Sequence, residues 1–377
     1  MSSSKSSGKT SEAMQLRAYG ALVDMFNKYE SRTIQIEILL PAISPPEGSL
    51  LLEDEEEGSV GIPKAVILNA FLAARKVFFE TRHALTGPSA QQAMDATRVM
   101  LLFDPEHLTA ANYRKRYLLT AQREGNAGQA DLTILVRKDL MLLFTLFSSP
   151  LFRHTKSPTL WSHCLWIARN HWDIEIDWAQ DVAGDACEGD SSVDEMTAVS
   201  HWLISQHWEK VKDATTSHPK NYHAWHFMRK FVQLLSERLG DRPECGYESE
   251  FVRLLQETHR WCLKNPSDTS GWSFLSFMFC RQEARGHEDL MGEIMENVLA
   301  LVYDFRWRHE SIWTFIRTVL AARNLMPEDS RAKLIHDLEE KYTNGGSSDG
   351  NAPETGIAPP HPAALALKWI HNNSSAG

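Results

Sequence analysis

The chain has 377 residues, 43% of them hydrophobic, and a formal net charge of −10. That much apolar material can bury one large elongated core or two ordinary ones, which excludes wholesale disorder. The acidic balance, concentrated in EDEEE at 53–57 and in a stretch from Asn170 to Glu209 without a lysine or arginine, argues against a nucleic-acid partner.

In chain order, the opening MSSSKSSGKT lacks an apolar signal core and argues against secretion, so residues 1–30 read as a flexible or partly helical segment. Its SGKT lacks the earlier glycine and the preceding strand that a phosphate loop needs. The stretch SRTIQIEILLP at 31–41 alternates briefly, as an edge segment or a loosely packed extension would. The longest apolar runs, VMLLF at 99–103 and LLFTLFSSPLF at 142–152, are of core length, so no membrane span is expected. Cys164, Cys187, Cys245, Cys262 and Cys280 are odd in number and widely spaced, which suits a reducing cytoplasm better than a disulfide framework or a zinc knuckle.

From residue 31 to 342 the tryptophans set a rhythm. Five segments begin with a short polar entry, usually after a proline, and continue at helical spacing: repeat cores at 105–119, 156–170, 219–235, 266–279 and 308–324. Proline and the Ser, Thr or Asn of each entry are helix-start signals. The key positions are Ala111, Trp161, Trp225, Trp272 and Trp313, spaced 50, 64, 47 and 41 residues apart. Behind each lies one apolar stripe, and further amphipathic stretches between the cores predict helix pairs. A pair cannot bury its own apolar face, so the expected fold is all-α: a right-handed superhelix, or solenoid, of antiparallel helical hairpins like a tetratricopeptide array. The insertion at 173–195, acidic and rich in small residues, predicts a solvated loop. Residues 343–377 read as a flexible tail with a short helix over 364–372.

The third core, PKNYHAW at 219–225, resembles the repeat of protein prenyltransferase α subunits, in which proline, lysine, asparagine and tyrosine precede the tryptophan. The stretches at 101–119, 156–166, 267–275 and 309–313 are similar to orphan α-like members of that family, and the likeness covers about residues 30–325. The chain departs from the pattern three residues after the tryptophan, where Cys164, Met228, Leu275 and Ile316 replace the family's arginine. Lys115, Arg229 and Arg317 stand one place later, as in a shifted ion-pair ladder.

The resemblance implies the α-like subunit of a heterodimeric geranylgeranyl or, second, farnesyl transferase acting on a cysteine of a protein substrate. The zinc ion would sit in the partner β subunit, with no cofactor in this chain. It also implies that Lys220 and Tyr222 meet the isoprenoid diphosphate at the shared interface, with His223 as a neighbour. Alternating positions in an extended helix entry would project Lys220 and Tyr222 to one side and turn Asn221 inward as a cap. Asn112, Trp161, Asn221, Trp225, Trp272 and Trp313 are read as repeat framework. His201, His207, His218, His223 and His226 lack a thiolate or carboxylate at ligand spacing and do not read as a metal site. The competing reading is a non-catalytic helical-repeat scaffold that holds other proteins.

Overall fold

A computed structural model describes residues 3–124, 129–187, 195–242, 245–343 and 361–374. It is 75% helical, as the sequence predicts, and none of its helices is long and apolar enough to cross a membrane. Two compact units emerge, Met1–Leu234 and Leu235–Gly377.

The first unit opens on α1 (Ser3–Lys28), where a flexible or partly helical segment was expected. Ala18, Leu22, Met25 and Phe26 recur at helical spacing and are buried, which is why the segment holds its helix. The alternating stretch that follows is a true strand. β1 (Gln35–Leu39), β2 (Leu52–Asp54) and β3 (Ser59–Pro63) form a small sheet in the order β1-β3-β2, with β1 parallel and β2 antiparallel to β3. A Cβ at Gly61 would meet the Leu39 side chain of the neighbouring strand, which would have to turn aside for any larger residue. The EDEEE run is partly anchored: Lys28 pairs with Glu53 and Glu55, and Tyr29 donates to Glu53 over 2.8 Å.

Next come α2 (Lys64–Thr81), α3 (Gly87–Phe103), α4 (Leu108–Glu124) and α5 (Gln129–Ser148), then the single turn α6 (Phe152–Thr155), α7 (Pro158–Asn170), α8 (Trp172–Cys187), α9 (Glu195–Ser217) and α10 (Tyr222–Leu239). The predicted loop at 173–195 is corrected by α8, which extends to Cys187; residues 188–194 lie outside the described ones. Trp172, Glu175 and Ala179 are buried at helical spacing, and Asp173 and Glu175 lie at the positive end of the helix dipole. Acidity there stabilises the helix.

The second unit holds α11 (Tyr247–Lys264), α12 (Thr269–Phe279), α13 (Glu288–Asp304), α14 (Glu310–Ala321), α15 (Glu328–Thr343) and α16 (Pro362–Ser374). α14 packs between α12 and α16, and α16 buries Ala363, Ala366, Leu367 and Ile370. The expected tail is thus helical over α16, longer than 364–372, while residues 344–360 lie outside the described ones.

One hydrogen-bond pattern recurs at the repeat entries. Ser157, Asn221 and Asp268 cap their helices by accepting from Leu160, Ala224 and Gly271 N–H groups over 3.1, 3.2 and 2.9 Å. The tryptophan four residues after each cap is buried; so is Trp313, which follows His309 by four. Two residues before the cap, a backbone carbonyl takes the indole N–H of the same repeat: Thr155 from Trp161 over 2.7 Å, Pro266 from Trp272 over 3.2 Å and Trp307 from Trp313 over 3.0 Å.

The carbonyl at this place also accepts from the next entry in sequence. Ser157 Oγ donates to Pro105 O over 3.2 Å and Asn221 Nδ2 to Thr155 O over 2.6 Å. In the second unit Ser311 Oγ donates to Pro266 O over 2.7 Å. An aromatic contact accompanies the polar one: Trp161 meets Phe227 at 5.2 Å between ring centres, and Trp272 meets Phe315 at 5.1 Å. Phe227 and Phe315 both stand two residues after their own tryptophan.

Asn112, read with the framework, is exposed and lies within the second turn of α4. The cap of that helix is His107, whose Nδ1 accepts from Ala110 N–H over 3.4 Å. Asn221→Ala therefore removes a cap and a link between entries, and is expected to destabilise by about 2 kcal/mol. Asn112→Ala should change stability by less than about 0.5 kcal/mol. Urea unfolding of the two variants checks the contrast.

Buried His154 donates from Nε2 to the Leu101 and Leu102 carbonyls, and burial pushes its pKa down to about 4. The unfolded chain takes up that proton near pH 6.5 and the folded chain does not. The contribution is therefore complete above pH 6.5 and is lost between pH 6.5 and about 4, by roughly 1.4 kcal/mol per pH unit. Melting temperatures across that range should fall, less steeply in His154→Gln.

Candidate functional site

The turn between α9 and α10 is held by backbone and side-chain bonds before any chemistry is considered. His218 N–H donates to Ala214 O over 3.2 Å, and the His218 Nδ1 lies 2.9 Å from Thr155 Oγ1. Lys156 Nζ donates to Pro219 O over 3.0 Å. Asn221, fully buried, caps α10 with Oδ1 and ties the turn to Thr155 with Nδ2.

Lys220 has φ 58°, one of two non-glycine residues with positive φ among the described residues. The entry is therefore a left-handed turn, where an extended segment was expected. Lys220 and Tyr222 flank the buried asparagine and are both exposed, Tyr222 by 62%. Tyr222 opens α10, and its ring stacks on His226 at 5.7 Å and meets His223 edge-on at 5.4 Å. His223 is half-buried.

Electrostatically this is a basic patch on an acidic chain. Arg229 and Lys230 follow on the same helix; burial first, then these two cations, hold the His226 pKa below its ordinary value. Burial, then Lys156, does the same for His218. Both imidazoles are neutral donor–acceptor groups at neutral pH, and the positive charge is carried by lysine and arginine. An exposed turn of this kind attracts an anion but does not enclose one, so chemistry here requires a second surface.

The other histidines of the sequence cluster disperse. His207 is buried and lies 2.8 Å from Glu175 Oε2, joining α9 to α8, while His201 Nε2 lies 3.5 Å from Ser205 Oγ on the same helix. No set of three or more His, Cys, Asp or Glu side chains converges as metal ligands among the described residues. Cys164, Cys245 and Cys262 are buried free thiols, Cys280 is an exposed one, and Cys187 lies at the end of α8.

Arg114, at the place in the first repeat where the resemblance calls for arginine, is the polar residue that sequence reasoning missed. It stands three residues after Ala111 and is buried, ion-paired with Asp139. His163 Nε2 meets the other Asp139 oxygen at 2.8 Å, and Arg114 Nη1 also donates to Thr97 Oγ1 over 2.7 Å. Arg114 and His163 outweigh the desolvation of the fully buried Asp139 and hold its carboxyl well below the usual range. The shifted ladder takes other partners: Lys115 lies over the Trp166 ring, and Arg317 pairs with Glu310 of its own helix. The signal for Arg114 was its position relative to an alanine, in a repeat where the tryptophan is absent.

Residues 193–298 match the ECM9 middle domain family. The matched segment runs from α9 into α13 and contains the Lys220 turn and the Trp225 and Trp272 repeats. Protein ECM9 of Saccharomyces cerevisiae is 26% identical over 239 residues, which cover 63% of this chain and 53% of that protein. The chain thus spans about half the length of the curated relative it matches.

A left-handed backbone costs a side chain with a Cβ about 1–2 kcal/mol, most for a β-branched one. Lys220→Val should therefore unfold at lower urea than Lys220→Gly, by about 1–2 kcal/mol. Equal midpoints would count against a left-handed turn.

Proposed function

We propose that the chain forms a right-handed superhelix of antiparallel helical hairpins and acts as the α-like subunit of a cytoplasmic protein prenyltransferase. The recurring caps, buried indoles and shared carbonyls support the repeat. The observation that carries the function is the Lys220–Asn221–Tyr222 turn: a buried amide fixes the backbone and leaves a lysine and a phenol exposed on either side of it.

In this reading the partner β subunit would hold zinc, and that ion would favour the thiolate form of the substrate protein's cysteine. The sulfur attacks the first carbon of geranylgeranyl diphosphate, or of farnesyl diphosphate as the second choice. A carbon–sulfur bond forms, the carbon–oxygen bond breaks and diphosphate departs with the electron pair. Lys220 Nζ and the Tyr222 hydroxyl donate to the departing oxygens, whose charge rises as the bond lengthens. His223, half-buried behind the tyrosine ring, positions that ring.

A scaffold without catalysis is the second reading. It is favoured by the apolar residues Met228, Leu275 and Ile316, which are buried where the resemblance calls for arginine.

Co-expression with a geranylgeranyltransferase β subunit separates the two. The expected result is a heterodimer on size exclusion that transfers labelled lipid to a cysteine-bearing substrate protein. Lys220→Ala should lower turnover by about 10- to 100-fold with the heterodimer intact, and Tyr222→Phe by a few-fold. An intact heterodimer without transfer identifies the scaffold.

A further inference from the structure

The first unit carries a half-open groove of about 1020 Å³ that the function above does not use. It lies between β1, the start of α2, the end of α3 and the turn at 150–154. Its origin is visible in the hydrogen bonds. Hydroxyls at the end of α5 cover the outward amide just before β1 and the first one within it: Ile34 N–H donates to Thr145 Oγ1 over 3.3 Å and Ile36 N–H to Ser149 Oγ over 2.8 Å. α5 then stops at Ser148, Pro150 ends the helical path, and strand and chain diverge at Ile38.

The walls of the gap are apolar. Ile38, Leu68 and Phe152 are 49%, 47% and 59% exposed, and Phe103 is held by stacking on Phe71 at 4.0 Å. His154 of the same wall is committed to the Leu101 and Leu102 carbonyls and stays neutral at neutral pH. Charge is confined to the rim. Lys64 and Arg153 stand there with Glu37; Arg153 holds Asp104 over 2.8 Å, and Lys156 adds a further cation 4.7 Å above the Phe152 ring. Lys64 is the first residue of α2, whose Pro63 cap makes no side-chain bond. A cation at that end of a helix is unfavourable unless an anion joins it.

We propose that this groove binds a free single-chain amphiphile: one linear hydrocarbon chain lies against Ile38, Leu68, Phe103 and Phe152, and its anionic head meets Lys64 and Arg153. The volume is at the upper end of the range for small-molecule sites. A peptide fits less well. It would bring an N–H and a C=O at every residue into walls that offer them little beyond the outward edge of Ile38, whereas a hydrocarbon chain brings none. The inference does not depend on the prenyltransferase reading, since none of Lys220, Tyr222 and His223 lines the groove; α6 borders both places, with Phe152 edge-on to His218 at 5.2 Å.

The test is calorimetric titration of the full chain with dodecyl phosphate below its micelle concentration. Dodecyltrimethylammonium, inorganic phosphate and phosphatidylcholine vesicles containing phosphatidylserine serve as separate arms. The expected result is saturable binding of dodecyl phosphate, with inorganic phosphate and the cationic amphiphile weaker by about tenfold or more. Leu68→Asp and Phe152→Asp, both on exposed positions, should each weaken it by at least about tenfold. Lys64→Glu should narrow the preference for the anionic head over the cationic one without lowering the melting temperature, since an acid suits that end of α2. The proposal is overturned if dodecyl phosphate does not bind, if both head groups bind equally, if phosphate alone binds as tightly, or if only vesicles are bound. Should an aspartate variant fail to fold, the head-group preference of Lys64→Glu decides by itself.

Discussion

A single kind of carbonyl oxygen, two residues upstream of a helix cap, organises the repeats. In the entries where it is best formed it accepts twice: once from the indole of the helix it precedes and once from a side chain of the following entry. A carbonyl has two lone pairs, and a buried backbone acceptor is costly to leave unpaired. Satisfying both lone pairs therefore fixes the depth of the tryptophan and the register of the next entry at the same time. The Trp161–Phe227 and Trp272–Phe315 contacts follow from that register.

The side chains that complete this junction must both give and receive. Asn221 does so through its two amide atoms, and Ser157 through one hydroxyl. Asp268 caps its own helix as an acceptor. In the entry after it Ser311 donates to Pro266, and the His309 cap makes no side-chain bond. Where the first repeat lacks an indole, a different device stands in the same region: Arg114, Asp139 and His163 join α4, α5 and α7 through a buried ion-paired network. Breaking such a network by removing one partner leaves a buried charge, which typically costs about 3–5 kcal/mol.

Much of this was legible in the sequence. The tryptophan rhythm, the capping residues and the apolar stripes identified the helical class and placed four indoles in the core, where Trp161, Trp225, Trp272 and Trp313 are found. What failed did so for identifiable reasons. Acidity at 173–187 was weighed as a sign of solvation, although acids in a first turn favour a helix. The strand at 35–39 was too short to read alone, because its pairing partner is 24 residues away. Asn112 was matched by residue type; it stands exposed in the second turn of α4, and His107 takes the cap of that helix. At the candidate site, the lysine and tyrosine were visible as letters. The left-handed turn that separates them was not, since nothing in the residue types beside Lys220 demands a positive φ. The groove beside β1 was equally hidden, because it arises where two distant segments part.

The last described helix has a consequence for the behaviour of the molecule in solution. α14 is covered on one side by α12 and on the other by α16, which sets Arg317 against the Trp369 ring and His361 near Trp313. Ala363, Ala366, Leu367 and Ile370 of α16 are buried on that side. A chain shortened ahead of α16 would leave bare the apolar surface that they cover, and an uncovered patch of that kind invites self-association.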